Sequence, residues 1–539
     1  MPKPGVLHNP QAGAGLKRGF DTLADLLALT LGPSQGIILS QPQAGSAPEV
    51  LTDAATIARR VMELPQRTED VGAMLLRNLV WRMHLRAGDG CATAAVLAQA
   101  ILQEAHRYQA AGINPVLLRT GLERAARAAL DRLCDIARPV NGENDLIAVA
   151  ETITSEPELS LLLGEIFDLL GPDAHVSIEE YVAPYFEREY KEGGRFQGRV
   201  VSPYLITDPP TRRAIQSGCH VALYGGEVAS FEELQPLLEL VARSENKRLA
   251  LLAYDIKGTA LSTLVANHQQ GRVQIVAAAL RRPESKRRTD FQDLVALTGA
   301  AFLSPELGSS LRKVKAADLG TARRVEADAE EVIVVGNASH AAAVRALIDD
   351  LRARLQAPPQ GDEQEEAEEL RFRLARLSGQ VATLKIGAAT KTEREAMLQK
   401  ARKGLRALPI AQREGVVAGG GVAYAHCIPA VHAVRTELAH EATWGADILA
   451  RALEEPFRRI AQNAGVSSPA AVLARAQRRG PGFGLDAVSG QIVDMEAAGI
   501  LDAVGVLREA LQTAVSGAVM AFTTDAIVHK RRPQESLEP

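Results

Sequence analysis

Ala87-Gly88-Asp89-Gly90 runs directly into a helical stretch carrying Thr93, Ala94, Val96, Leu97, Ile101 and Leu102. Glycines let a backbone approach a ligand closely, and a helix start presents unpaired N–H groups and a positive dipole end. An aspartate at that spot repels phosphate unless a cation stands between them. Asp89 is therefore a candidate Mg²⁺ ligand bridging to phosphate oxygens. Taken alone, the stretch reads more simply as an ordinary helix start capped by aspartate. Gly419-Gly420-Gly421, after Glu414-Gly415-Val416-Val417, poses the same choice between a ligand-approaching loop and a tight turn.

Outward from these points the texture of the chain changes twice. The opening region is helical: Leu16, Phe20, Leu23 and Leu27 recur at helical spacing before Gly32-Pro33, and a short apolar strand, Ile37 to Leu39, follows. From Gly193, β-like runs (220–224, 249–253, 273–278, 331–335) alternate with helices such as 231–242, the pattern of an α/β domain. Ala357-Pro358-Pro359-Gln360-Gly361 reads as a turn. From Glu414 the chain is helical again. The acidic cluster Asp362 to Glu369 reads as a solvated helix face, and the basic run Arg281 to Arg288 as a solvated loop.

The 539 residues exceed one ordinary core and suggest three or four domains. Aromatics are only 4%, so the core must be aliphatic, and a net charge of -4 gives no general electrostatic case for nucleic acid or an anionic membrane. Cys91, Cys134, Cys219 and Cys427 are scattered and form no CxxC pair, which argues against a disulfide framework or structural zinc. Met1 to Lys17 has no apolar run of signal-peptide length and nothing approaches a membrane span, so a cytoplasmic location is expected. GxxxxGK[ST], HExxH and GxSxG are absent.

Thr30-Leu31-Gly32-Pro33, Ala87 to Gly90, Val96 to Ile101, Gly387-Ala388-Ala389-Thr390, Glu414 to Ala423 and Val493 to Asp502 together resemble the motifs of group I chaperonin large subunits (GroEL-like), in order and spacing. Ser202-Pro203-Tyr204 and Leu297-Thr298-Gly299 extend the match across nearly the whole chain. The resemblance implies a multidomain, mainly α protein with an α/β apical domain. Its divisions would be an equatorial domain at 1–136 and 412–539, an intermediate domain at 137–191 and 379–411, and an apical client-binding domain at 192–378. It further implies ATP and Mg²⁺ as cofactors, unfolded proteins as clients, a lid-like cochaperonin as a possible partner, and homo-oligomeric rings of seven, single or stacked.

Carried over residue by residue, the nucleotide pocket would comprise Thr30 to Pro33, Thr52, Asp89 with the metal, Gly90, Cys91, Ala92, Thr93, Gly420, Asp486, Ala487, Val488 and Asp502. Asp53 would be a second pocket aspartate with a catalytic part. Departures from the family pattern are concentrated here. Cys91 and Ala92 replace threonines, Thr52 replaces a lysine, and the family's Asn-Ala-Ala is only partly kept at Asp486-Ala487-Val488. The aspartate that positions the attacking water falls on Lys403, and the nearest preceding acid is Glu395. A cation cannot accept the water's proton, and loss of a general base commonly costs about 10²–10⁴ in rate. Lys403 is instead expected to hold the γ-phosphate as a point charge.

The family's apical–intermediate ion pair falls on Gly198 and Lys391, where it is lost, and its second hinge reads Gly379-Gln380. The exposed client groove maps to Val200, Tyr204, Leu205, Gln235, Leu238, Leu261, Val265 and Ala266, with Gln235 and the smaller side chains reducing its apolar area. Ile37 to Leu39 and Ala526 to Val528 map to strands that join neighbouring subunits. The reading is an ATP-binding chaperone with impaired hydrolysis. Its rivals are a fully active foldase using another water-positioning group and a ring-forming structural or interaction protein that does not fold clients.

Overall fold

Leu16, Phe20, Leu23 and Leu27 lie on one face of the first helix, α1 (Gln11–Ala28), and all four are buried. The computed structural model describes residues 4–33, 36–41, 49–61, 63–172, 174–191, 193–356, 363–378 and 381–530. After α1 come α2 (Ala54–Arg60), α3 (Arg67–Ala87), α4 (Cys91–Ala110), α5 (Pro115–Asp135), α6 (Glu143–Thr154) and α7 (Pro157–Leu170). α1 and α3 cross closely because Gly72 meets the Leu16 carbonyl, where a Cβ would lie only 1.9 Å from the oxygen. Small residues at the crossing let the backbones touch.

The chain then builds a second unit, mostly residues 188–383, while residues 1–172, 178–187 and 384–539 form the first. The second unit is a seven-stranded mixed sheet with strand order 302–303, 214–228, 320–327, 331–336, 194–200, 274–280, 248–256. The long strand Ala214–Val228 also pairs in parallel with Arg248–Ile256, which closes the sheet on itself. Alternation assigns side chains to two cores. Leu249, Leu251 and Ala253 pack with α8 (Phe231–Arg243) and α9 (Gly258–Gln269), whereas Ala250 and Leu252 pack with α10 (Glu284–Thr298), α11 (Ala341–Gln356) and α12 (Glu363–Ser378). This is the period-two rule of a strand buried on both faces.

Two expectations about charge are corrected in this unit. The basic run is not a solvated loop: α10 begins at Glu284, and Arg282 is buried, donating to Asp290 (2.8 Å) and to Glu369 (2.9 Å). Glu369 therefore belongs to a buried ion cluster rather than to a wholly solvated face. Arg373 and Arg376 complete the cluster on Asp290 and Asp293, with all four side chains at most 4% exposed. The hinge Gly379-Gln380, the turn 357–361, Asp362 and the basic end Arg531-Arg532-Pro533 lie outside the described residues.

The first unit resumes with α13 (Lys391–Glu414), and its closing helix Val504–Phe522 is buried along most of its length. Ala526–Lys530 pairs antiparallel with Pro4–His8, and Ile38–Ser40 with Glu49–Leu51. Ala526 to Val528 thus has a partner within the chain. Leu39 and Val528 nevertheless remain 66% and 68% exposed on these two-stranded sheets. All four cysteines are free, and no described helix is long and apolar enough to cross a membrane.

Candidate nucleotide site

The start of α4 shapes one wall of a cavity of about 820 Å³ in the first unit. Gly88 closes α3 in the left-handed region (φ 73°), and Gly90 stands at the N-cap of α4 (φ 78°) with no side-chain cap. Asp89 is therefore not the helix cap. Among the described residues its carboxylate has no hydrogen-bond or ion-pair partner, and it lines the cavity beside Gly90, Cys91, Ala92 and Thr93. An unclaimed carboxylate next to an uncapped helix start suits a cation bridged to phosphate. No described group of three or more His, Cys, Asp or Glu could hold a metal ion, so phosphate and water would supply the remaining ligands.

Thr30, Leu31, Gly32 and Pro33 line the same cavity, although the Thr30 hydroxyl donates to the Leu27 carbonyl at 2.8 Å and closes α1. On the far side, strand Val416–Ala418 pairs with Leu501–Ala503, placing Val417 opposite Asp502. The chain then turns through Gly420 and Gly421, both at positive φ (67° and 78°). A Cβ on Gly421 would lie 2.7 Å from the Phe457 nitrogen, so glycine is required there. Asp486, Ala487 and Val488 complete the predicted set, with Asp486 accepting from the Val488 N–H at 3.0 Å.

Thr52 and Asp53 are not part of the cavity lining. Asp53 is buried as the N-cap of α2, accepting from the N–H and hydroxyl of Thr56, both at 2.8 Å. Its other oxygen lies 2.8 Å from Nζ of Lys403, which does line the cavity. Burial pushes the Asp53 carboxyl up, but Lys403 and the Thr56 donors outweigh it and hold it at about 2. Burial likewise disfavours the Lys403 ammonium, yet Asp53 and Asp89 hold its pKa above the ordinary lysine range. The Lys403 ammonium, expected to hold the γ-phosphate, is thus paired with Asp53 beside the cavity.

Asp502 shows the opposite shift. Burial first, and Asp89 second, raise its carboxyl to about 7. A raised folded-state pKa means that the folded protein holds the proton more tightly. Stability is then fully present below the unfolded value near 3.8 and is lost as pH rises to about 7. At 1.36 kcal/mol per pKa unit, Asp502→Asn should stabilise the ligand-free protein by about 2–4 kcal/mol at pH 8 and by less than about 1 kcal/mol at pH 4. Denaturant titrations at both pH values check this; equal gains at both would mean that the carboxyl titrates normally.

Sequence reading missed the wall made by α6. Asn144, Ile147, Ala148, Glu151 and Thr152, spaced by three and four residues, face the cavity. Only their helical spacing could have shown that they share a face. The client-groove residues fare unevenly. Tyr204 is 69% exposed, Gln235 and Ala266 are exposed, and Val200, Leu261 and Val265 are half-buried. Leu205 and Leu238 are core residues at 0% and 7%, packed under α8 and α9, and they are unavailable to a client in this conformation. Phe231, one turn before Gln235 on α8, is 41% exposed and was not anticipated.

The TCP-1/cpn60 chaperonin family model matches residues 23–166 and 229–532. The unmatched interval contains Val200, Tyr204 and Leu205. Among solved structures, the chain is similar to the chaperonin gp146 of bacteriophage EL (Pseudomonas aeruginosa), crystallised in the presence of ATP-BeFx. The TM-score is 0.69 at 16% identity, over 98% of this chain and 99% of that one. At that identity the likeness concerns the fold, and it agrees with a GroEL-like multidomain architecture. With most of its length matched by the family model, this chain belongs to the TCP-1/cpn60 chaperonin family.

Proposed function

We propose that this chaperonin-family chain binds Mg²⁺-ATP in the cavity between α4, α6, α13 and the 420–421 turn, and hydrolyses it slowly. The observation that carries the slow step is the Lys403–Asp53 ion pair, which puts a cation where the family resemblance calls for a water-positioning carboxylate. The same pair removes Asp53 from catalysis. Asp89 would hold the metal, whose charge screens the phosphates from the cavity's carboxylates. The equatorial, intermediate and apical divisions follow the resemblance, and a cytoplasmic setting is part of the same reading.

Assembly into rings of seven, single or stacked, belongs to the same reading. Two-stranded sheets are marginal in isolation, and the exposed edges carrying Leu39 and Val528 are ready templates for pairing between copies. Unfolded polypeptides would bind the second unit at Phe231, Tyr204, Leu261 and Val265, with Gln235 and the burial of Leu205 and Leu238 narrowing the client range. A lid-like cochaperonin is the partner class that the resemblance adds. Wild type should bind a fluorescent ATP analogue with Mg²⁺ and sediment as a large ring, whereas Asp89→Ala should lose the Mg²⁺-dependent binding. A monomer across micromolar concentrations would sink the ring. Equal binding by Asp89→Ala would sink the metal assignment.

A second reading, turnover through a different carboxylate, is favoured by one observation: Glu151, on the cavity face of α6, has no hydrogen-bond or ion-pair partner among the described residues.

A further inference from the structure

We propose that Glu151 is the group that orients the attacking water and takes its proton in whatever ATP hydrolysis this chain performs. The proposal rests on the reading that ATP occupies the cavity. The cavity's other carboxylates are engaged or poorly suited. Asp53 is bound to Lys403 and Thr56 and lies outside the lining. Asp486 caps its own turn through the Val488 N–H and the Ser489 hydroxyl. Asp89 adjoins the α4 start, where it suits a cation. Asp502 is held beside the glycine turn by the strand pairing with Val417. Glu151 remains, exposed to the cavity and with no hydrogen-bond or ion-pair partner among the described residues.

Its place along α6 fits the role. Ala148, one turn earlier, packs toward Gly499, with its Cβ 3.8 Å from where a Gly499 side chain would begin. That is the Asp502 end of the cavity. The other end of α6 meets α13: Thr154 lies beside Gly404, the residue after Lys403, and Glu156 pairs with Lys400 at 2.6 Å. Glu151 lies between these ends, on the stretch of α6 that leads from the Asp502 end toward Lys403. Lys403 does not draw it into an ion pair, because that ammonium is held by Asp53.

In the step, the water oxygen donates a lone pair to the γ-phosphorus and forms the new P–O bond. The bond to the β–γ bridging oxygen breaks, and its electron pair leaves on ADP. The water proton passes to the Glu151 carboxylate and from there to the phosphate product. No oxidant, reductant or additional reactant is required.

The test is single-turnover hydrolysis of radiolabelled Mg²⁺-ATP by the full-length protein, with affinity measured separately by equilibrium dialysis. Glu151→Gln should slow cleavage of bound ATP at least 10-fold while affinity stays within about twofold. Glu151→Asp should recover part of the rate. Glu151 is exposed, so neither change threatens folding. Cleavage at the wild-type rate in Glu151→Gln would overturn the proposal, as would a loss of affinity with cleavage of bound ATP unchanged, which would make Glu151 a binding contact. Wild type that binds ATP and never cleaves it would overturn it too. Failure of wild type to bind Mg²⁺-ATP at all would instead defeat the nucleotide reading on which it rests.

Discussion

Asp293→Ala is expected to cost the second unit about 3–5 kcal/mol, the range for breaking a buried ion pair from one side. Asp293 is fully buried and accepts from Arg373 at 2.7 Å and from Arg376. Arg376 also donates to Asp290 at 2.6 Å and lies 4.4 Å above the Phe196 ring. Three guanidiniums (Arg282, Arg373, Arg376) face three carboxylates (Asp290, Asp293, Glu369), so the charges balance. Removing Asp293 takes the carboxylate from Arg373 and leaves Arg376 with Asp290 alone, and both cations are 4% exposed or less. A domain's whole stability is about 5–15 kcal/mol, so the loss would be a large share of it. The control is Arg243→Ala, whose 82%-exposed side chain pairs with Glu239 and should cost no more than about 1 kcal/mol. Denaturant titration of the full chain compares the two; similar small losses would show that the cluster is solvated in solution.

That cluster also marks where the sequence was hardest to read. Periodicity finds a helix by its apolar stripe, and α10 and α12 place arginine and aspartate on the faces they bury. Arg281 to Arg288 and Asp362 to Glu369 consequently looked like separate solvated runs. The two runs nevertheless meet where Arg282 pairs with Glu369, 87 residues later. The candidate nucleotide cavity was more legible, because Gly88, Gly90, Gly420 and Gly421 occupy positive φ that other residues avoid. Glu151 carried no local signal, being one acid on a mixed helix. Leu205 and Leu238 were misplaced because residue character does not show which side of α8 or of the 203–205 turn meets the sheet.

The charge at Lys403 leads to the largest functional effect. The sequence comparison suggests Lys403→Asp as the rescue, but the geometry argues that this single change falls short. Asp53 would lose the cation 2.8 Å away and gain a second carboxylate nearby, with Asp89 also in the field. Two like charges about 4 Å apart repel by about 4 kcal/mol at an effective dielectric of 20. One of them would therefore remain protonated and a poor base. Thr52, adjacent to Asp53, stands where the resemblance places a lysine, so the missing aspartate and the missing lysine are two halves of one charge exchange. Thr52→Lys/Lys403→Asp should raise steady-state ATP turnover by about 10²–10⁴, while Lys403→Asp alone gains less than about tenfold and loses stability. The double variant carries its own carboxylate, so its gain should survive Glu151→Gln. Lys403→Met separates obstruction from a missing base: turnover raised as far by methionine as by the double variant would mean that Lys403 merely blocks the site. A double variant no faster than wild type would mean that position 403 does not face the attacking water.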